Sequence, residues 1–144
     1  TLPQLKKKYI DTGKVQLEFI DYPLDRLAVI AATLARSIPT KDGYTEAVSI
    51  LLKKQKQWAY SKNPLNELQS IAKLFGISSK KFNDISQNIP LMQEIVTKME
   101  KESKNFDINS TPTFIVNDKY KISGALSFKD FEKELLKSIN AKKS

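Results

Sequence analysis

The feature that most restricts the fold of this chain is a proline followed directly by a short apolar run, in the segment Ser110–Asn117. Proline has no backbone N–H and cannot donate in the middle of a β-ladder, so Pro112 marks the residue just before strand pairing begins. The run that follows, Thr113–Val116, consists of residues that favour strands. The segment therefore predicts that the chain enters a sheet here.

A tight hairpin is predicted after this run. Asn117-Asp118 separates Thr113–Val116 from Lys119–Ser123, and both flanks can place alternate residues on opposite faces of a sheet. Gly124 then ends the second strand.

A C-terminal helix is predicted next. Ser127 is followed three residues later by Asp130, a capping-box-like pattern that is typical of a helix start. The apolar residues that then share one helical face are Phe128, Phe131, Leu135, Leu136 and Ile139. The end of the chain is therefore predicted to run strand, strand, helix.

The beginning of the chain predicts a helix and a further strand. The residues with helical spacing are Leu2, Leu5, Tyr9 and Ile10. This helix is expected to end near Asp11, with Gly13 suited to a left-handed C-terminal cap. The segment Val15–Ile20 alternates between its two faces, which predicts a strand that ends at Asp21.

The middle of the chain is predicted to be helical throughout. Helices are expected over 24–38, over 44–58, after Asn63-Pro64, after Ser78 or Ser79, and from Pro90 to about Asn105. The first of these is apolar on more than one face, which indicates packing on two sides. The sequence contains no repeat, low-complexity tract or flexible linker, so these helices are expected to form one compact insert.

Composition excludes several kinds of chemistry. The 144 residues contain neither Cys nor His, so disulfides, thiolate nucleophiles, Cys/His zinc sites and His general bases are excluded within them. The net charge is +8, but the lysines are scattered over helix faces without a compact arginine-aromatic surface, so we expect no nucleic-acid partner. No run of about 18 apolar residues occurs, so no transmembrane segment is predicted.

Two single residues have both a functional and a structural interpretation. Asp21 is either a functional carboxylate or, more typically for the end of a strand, a turn or cap residue. Trp58 is either a platform for a ligand or a core residue of its helix.

Several segments, in this order, resemble thioredoxin-fold proteins of the DsbA type. Thr-Pro-Thr-Phe-Ile-Val-Asn, a short turn, Ile-Ser-Gly-Ala and an amphipathic helix are similar to the end of that family. Lys7–Val15, the following apolar segment and Tyr22-Pro23-Leu24 are similar to the helix, turn and strand after its active site. The segments that are similar to its helical insertion are Gln55 with Trp58, Ile71–Ile77 and Lys81-Phe82. The resemblance covers nearly the whole chain.

The resemblance implies an α/β fold with a thioredoxin-like sheet and an inserted helical domain. Residues 1–22 and 108–144 would form the thioredoxin-like domain, and residues 23–107 the insertion. The family's N-terminal βα portion, including its central strand, is not among these residues. Because a proline such as Pro3 lies inside a longer helix in the family, the first helix is expected to begin before Thr1. A chain that begins with Thr rather than Met agrees with that expectation.

The resemblance also implies where the chemistry lies. In the family a Cys-X-X-Cys pair precedes the first helix, so the catalytic cysteines are expected before Thr1, and these residues alone should be inactive. The family's cis-proline corresponds to Pro112, and a cis bond would turn the N–H and C=O of Thr111 outward, where an extended peptide could pair with them. Thr111 and Pro112 are therefore predicted to bind substrate, and neither a metal nor a cofactor is expected.

The chain departs from the family pattern at two places. The cysteines that often form an additional structural disulfide are absent, and Ser37 and Ser86 lie near their places. The hairpin has Asp118 where the family commonly has Gly, at a cost on the order of 1 kcal/mol.

Three hypotheses for function follow. The first is a thiol:disulfide oxidoreductase of the periplasm or cell envelope that acts on cysteine-containing unfolded or folding proteins and is recharged by a membrane quinone-linked partner. The second is a redox-inactive thioredoxin-fold module that binds peptides. The third is a basic helical protein that binds acidic partners or nucleic acid with a steep salt dependence.

Overall fold

The computed structural model describes the backbone of residues 2–143 and the side chains of residues 2–140. The first helix has an α-helical part, α1 (Leu2–Leu5), and continues as a π-helical turn (Lys6–Ile10). The later elements are α2 (Arg26–Arg36), α3 (Gly43–Lys53), α4 (Gln55–Ala59), α5 (Pro64–Lys73), α6 (Ser79–Ser86), α7 (Ile89–Phe106), β1 (Thr113–Val116), β2 (Tyr120–Ser123) and α8 (Phe128–Lys143).

The chain divides into two compact units. The sheet unit consists of the residues up to Phe19 and from Glu100 onward, and the helical unit is Ile20–Met99. The second boundary between the units, between Met99 and Glu100, falls within α7, which therefore contributes residues to both units. The domain limits predicted from the sequence, after residues 22 and 107, lie three and eight residues further along the chain.

The hairpin forms where the sequence predicts it, with a longer turn. Strands β1 and β2 are antiparallel, with Val116 opposite Tyr120, so three residues connect them rather than two. Both Asn117 and Asp118 have positive φ, at 54° and 58°, and the Lys119 N–H donates to the Val116 carbonyl at 3.2 Å. Two consecutive left-handed residues match the right-handed twist of the flanking strands.

The prediction of a strand over Val15–Ile20 is wrong, because the structure assigns no strand to these residues. Its side chains do alternate, with Val15 and Leu17 packed on the core of the sheet unit and Gln16 exposed. However, the sheet described among residues 2–143 contains only β1 and β2, and Val15–Ile20 has no strand beside it. Alternation records which face of a segment is covered, whereas a strand also needs a neighbour with which to exchange hydrogen bonds.

The predicted start and stop signals of the helices hold at most positions. The hydroxyls of Ser78 and Ser127 accept from N–H groups three residues on, at 3.1 and 3.2 Å, and cap α6 and α8. Gly13 is left-handed, at φ 76°, after the first helix. Asn63 precedes Pro64 as predicted, but its side chain makes no cap hydrogen bond. Instead Asn88, which the sequence analysis did not single out, accepts from the Leu91 N–H and caps α7.

The helix predicted over 44–58 is two helices, α3 and α4, with a break at Lys54. The indole N–H of Trp58 donates to the Leu51 carbonyl at 2.9 Å, a carbonyl that a continuous helix would offer to Gln55. Leu51 and Trp58 are seven residues apart and would share a face in either case, so apolar spacing gives no signal for the break.

Each unit has its own apolar core. The core of the helical unit includes the fully buried Leu34 and Leu68, with Trp58 and Phe82. The buried residues of the sheet unit's core are Leu5, Tyr9, Ile122, Phe131 and Leu135. The first helix and α8 thus pack with the hairpin in the sheet unit.

Candidate functional site

The loop between α7 and β1 holds both predicted substrate-binding residues. The loop begins at Asp107, which is left-handed at φ 51°, and the Ile108 N–H donates to the Ser103 carbonyl at 2.9 Å. The Lys121 ammonium, on β2, donates to the carbonyls of Phe106 and Asp107 at 3.4 and 3.1 Å. A cation at the carbonyl end of a helix is stabilised by the helix dipole, so Lys121 fastens the start of the loop to the hairpin.

The other end of the loop is held by backbone. The Gly124 N–H donates to the Pro112 carbonyl at 2.9 Å, which continues the β1–β2 pairing by one step toward the loop. The Thr113 hydroxyl donates to the Ser110 carbonyl at 2.7 Å and closes the turn. The loop is therefore fixed on both sides of Thr111.

Thr111 and Pro112 lie side by side on the exposed part of this loop, and the peptide bond between them is cis. Within the described part of the chain, no hydrogen bond involves the backbone N–H or C=O of Thr111. A fixed, exposed residue with both backbone groups open can pair with an extended peptide as an edge strand does.

Aromatic packing attaches the hairpin to α8. The rings of Phe114 and Phe131 meet edge to face with centroids 4.6 Å apart. Phe131, on α8, is buried together with Ile122 of β2. The strand that carries the loop is therefore anchored to a helix, which limits its movement.

A polar cluster joins the first helix to α8. Glu132 accepts from the Lys8 ammonium and from the Tyr9 hydroxyl, on the same carboxylate oxygen. The Lys8 hydrogen bond, followed by that of Tyr9, lowers the pKa of Glu132. The Glu132 hydrogen bond raises the pKa of Lys8 and of Tyr9 in turn. The cluster is a structural tie between two elements of the sheet unit.

Asp21 is neither a turn residue nor an isolated carboxylate. Its side chain, only 11% exposed, accepts from the Arg36 Nε at 2.8 Å and from the Tyr44 hydroxyl. The Arg36 guanidinium also stacks 3.8 Å from the centre of the Tyr44 ring. Burial, and then the hydrogen bond to Asp21, raises the pKa of Tyr44. Sequence spacing does not reveal this trio, because its members are 15 and 23 residues from Asp21.

Three further predicted positions are structural. Trp58 is a core residue, as its spacing favours, and not a platform on the surface. The hydroxyls of Ser37 and Ser86 donate to backbone carbonyls of their own helices, at 2.7 and 2.8 Å. The hydroxyls of both serines therefore have hydrogen-bond partners close by in the chain.

The described residues provide no metal site and no bilayer-spanning helix. No group of three or more carboxylates among them is close enough to hold an ion. None of the helices within residues 2–143 combines the length and the apolar character that crossing a membrane requires.

Comparison with known proteins places this chain in a family. Residues 1–137 match the family model described as Thioredoxin. Among curated proteins, one from Rickettsia conorii named "Putative protein-disulfide oxidoreductase" is 31% identical over 115 residues, and a protein of the same name from Rickettsia typhi is 30% identical over 115 residues. These matches cover 80% of this chain and 42% and 43% of the two proteins, so the chain spans less than half the length of these relatives.

Solved structures agree with the sequence matches. The crystal structure of Wolbachia pipientis alpha-DsbA1 superimposes with a TM-score of 0.81 at 27% identity, over 97% of this chain and 78% of that one. The structure of its variant with two cysteines replaced by alanine matches equally well. The resemblance inferred from the sequence is therefore confirmed, as is a thioredoxin-like fold with a helical insertion. This chain belongs to the thioredoxin family and is of the DsbA type.

Proposed function

We propose that this chain is part of a protein-disulfide oxidoreductase, in which it supplies the substrate-binding loop and the helical insertion. The observation that carries the proposal is the family match over residues 1–137 in a chain without cysteine. Disulfide exchange requires thiols, and in this proposal the reactive Cys-X-X-Cys pair lies before Thr1, where the family resemblance puts it. The relatives named as oxidoreductases are more than twice the length of the matched region, which leaves room for that pair.

The substrate is a polypeptide that contains cysteine. Thr111 offers a free N–H and C=O on a loop that is held on both sides, and such groups bind extended peptides regardless of side chain. Substrate selection then depends on the presence of a thiol beside the bound segment. The protein would therefore act on many different unfolded or folding chains.

The exchange itself follows from thiol chemistry. A substrate thiolate attacks one sulfur of the oxidised Cys-X-X-Cys pair and forms a mixed disulfide, with the second sulfur leaving as thiolate. A second substrate thiolate then attacks the substrate sulfur of the mixed bond. The substrate gains a disulfide, and the enzyme pair takes up two electrons. In this scheme Thr111 and Pro112 orient the substrate, and no residue of this chain reacts.

The two parts of the chain have different roles in this proposal. Residues 1–22 and 108–144 form the thioredoxin-like domain that binds the peptide, and residues 23–107 form the helical insertion. Reoxidation of the pair requires an acceptor for two electrons, and we assign that role to a membrane quinone-linked partner. The protein would accordingly work in the periplasm or cell envelope, where disulfides persist.

A redox-inactive module that binds peptides is the second candidate. It is favoured by one observation, the absence of cysteine from all 144 residues. Both candidates predict peptide binding at Thr111, so binding alone does not separate them.

The first experiment determines whether the thiol pair exists. The encoded sequence before Thr1 is read, and the natural protein is assayed for two titratable thiols and for oxidation of a reduced, unfolded protein. We expect two thiols and turnover. A natural protein without a thiol pair would exclude the oxidoreductase and leave the binding module.

The second experiment tests the loop in this chain. An extended peptide with a central cysteine is titrated into isotope-labelled protein, and backbone amide shifts are followed by NMR. We expect saturable shifts at Thr111 and Thr113, while the turn at Asn117-Asp118, at the far end of the same strand, serves as the internal control. Shifts of equal size at the turn, or none at Thr111, would contradict the assignment of the site.

A further inference from the structure

The segment that includes the α3–α4 break carries lysines together with exposed apolar side chains. Leu52 is 64% exposed and Tyr60 is 83% exposed, although both are large apolar residues. The lysines of the same segment, all exposed, are Lys53, Lys54, Lys56 and Lys62. These six side chains, all within residues 52–62, are called the basic surface below.

Packing inside the helical unit fixes the outward direction of this surface. Leu51 and Trp58 are buried in the same core, and the indole N–H of Trp58 is bonded to the Leu51 carbonyl. At about 100° per residue, Lys56 lies on the side of α4 opposite Trp58, and Tyr60, the C-cap residue of α4, is exposed. The core that holds Trp58 inward therefore holds Lys56 outward.

The basic surface carries more positive than negative charge. No acidic residue occurs between Glu46 and Glu67. Glu67 accepts from the Gln57 side chain at 3.1 Å, and no salt bridge described among residues 2–140 involves a lysine of the basic surface. The segment therefore presents four lysines, none of them in a described salt bridge, together with two exposed apolar side chains.

We propose that the basic surface docks on the anionic face of a lipid bilayer. Lysines near such a face are attracted by its negative surface potential, each contributing about fivefold to affinity. Tyrosine is suited to the headgroup region because its ring is apolar and its hydroxyl polar, and Leu52 adds an apolar side chain beside it. All four cations are lysines rather than arginines. A lysine acts as a point charge and suits a diffuse negative surface, whereas arginine is better suited to bidentate contacts with the individual phosphates of a nucleic acid.

Vesicle sedimentation with the whole chain tests this proposal. The protein is mixed with phosphatidylcholine vesicles that contain either no anionic lipid or about one third phosphatidylglycerol. We expect binding to the anionic vesicles that is at least about tenfold tighter than to the neutral ones and that weakens as salt is raised. The variant K54E/K56E should lose at least about 30-fold in affinity, and L52S/Y60S should lose several-fold with its charge unchanged.

The matched control is K80E/K81E. It makes the same change in net charge on α6, where no large apolar side chain is exposed among the described residues. We expect it to bind within about threefold of the wild type. Circular dichroism confirms that each variant is folded, and K53Q/K62Q replaces K54E/K56E if that variant is not.

Several results would overturn the proposal. These are the absence of binding to anionic vesicles at low salt, an equal loss in K80E/K81E, and unchanged binding of L52S/Y60S. Tighter binding to a short DNA duplex than to the anionic vesicles would assign the surface to nucleic acid instead.

Discussion

At the scale of single residues, Asp21 shows how a polar side chain becomes part of a packed unit. It accepts from Arg36 and Tyr44 at once, while Arg36 lies over the face of the Tyr44 ring. A carboxylate with two donors and little exposure is satisfied rather than reactive. Removing the Asp21 carboxylate would take away an acceptor that Arg36 and Tyr44 share, which should cost stability.

The raised pKa of Tyr44 predicts a loss of stability in alkali. The unfolded chain loses this proton near pH 10, the ordinary tyrosine value, whereas the folded protein retains it. The stabilisation is therefore complete below pH 10 and declines as the pH rises above it. Between pH 9 and 11, the wild type should lose up to about 1 kcal/mol more stability than Tyr44→Phe, a figure reduced for the partial exposure of the ring. Urea unfolding at each pH measures this, and Tyr60→Phe, which changes an exposed tyrosine, should keep the wild-type slope.

At the scale of elements, the hairpin turn is the clearest local conflict between sequence and backbone. Asp118 has a φ of 58° in the second left-handed position, which Gly occupies at less cost. We expect Asp118→Gly to stabilise the protein by about 0.5–1 kcal/mol in urea unfolding. Lys119→Gly is the matched control, since its φ is not positive and the added chain freedom should destabilise. A gain from both changes would mean that the strain is not at Asp118.

The tie between the first helix and α8 predicts acid sensitivity. The Lys8 and Tyr9 hydrogen bonds lower the pKa of Glu132 below its ordinary value of about 4.5. The stabilisation it gives is therefore present above pH 4.5 and is lost as the pH falls below that value. We expect Glu132→Gln to be less stable at pH 7 and to lose less stability between pH 5 and 3. Glu134→Gln, in the same helix, should follow the wild type; if it matches Glu132→Gln instead, the effect is one of net charge.

The elements could be predicted from the sequence where the signal is local. Proline and turn residues located the hairpin, and hydroxyls at helix starts located the caps of α6 and α8. Two errors have a common origin in tertiary structure. Val15–Ile20 alternates as a strand does but has no neighbour in the described sheet. The α3–α4 break at Lys54 occurs beside a hydrogen bond from the Trp58 indole to the Leu51 carbonyl. The apolar periodicity of each segment shows neither the missing neighbouring strand nor the hydrogen bond between Trp58 and Leu51.

At the scale of the whole molecule, the order of the segments was more informative than any one of them. It predicted the fold and placed Thr111 and Pro112 together on one loop. It did not predict what holds that loop, because Lys121 contacts the end of α7 from a strand 14 and 15 residues away. The Asp21 trio was missed for the same reason. Contacts between elements depend on packing that single-sequence spacing does not encode.

The two separate cores predict that the two units respond separately to core mutations. Leu34 is fully buried in the helical unit, and Phe131 is 3% exposed in the sheet unit. Leu34→Ala should cost about 2–5 kcal/mol and Phe131→Ala about 3–5 kcal/mol, from lost burial and the cavity left behind. Native-state hydrogen exchange should then show faster exchange mainly in α2, α5 and α6 for Leu34→Ala, and mainly in the hairpin and α8 for Phe131→Ala. Equal acceleration throughout the chain in either variant would show that the protein opens as one cooperative body despite its two cores.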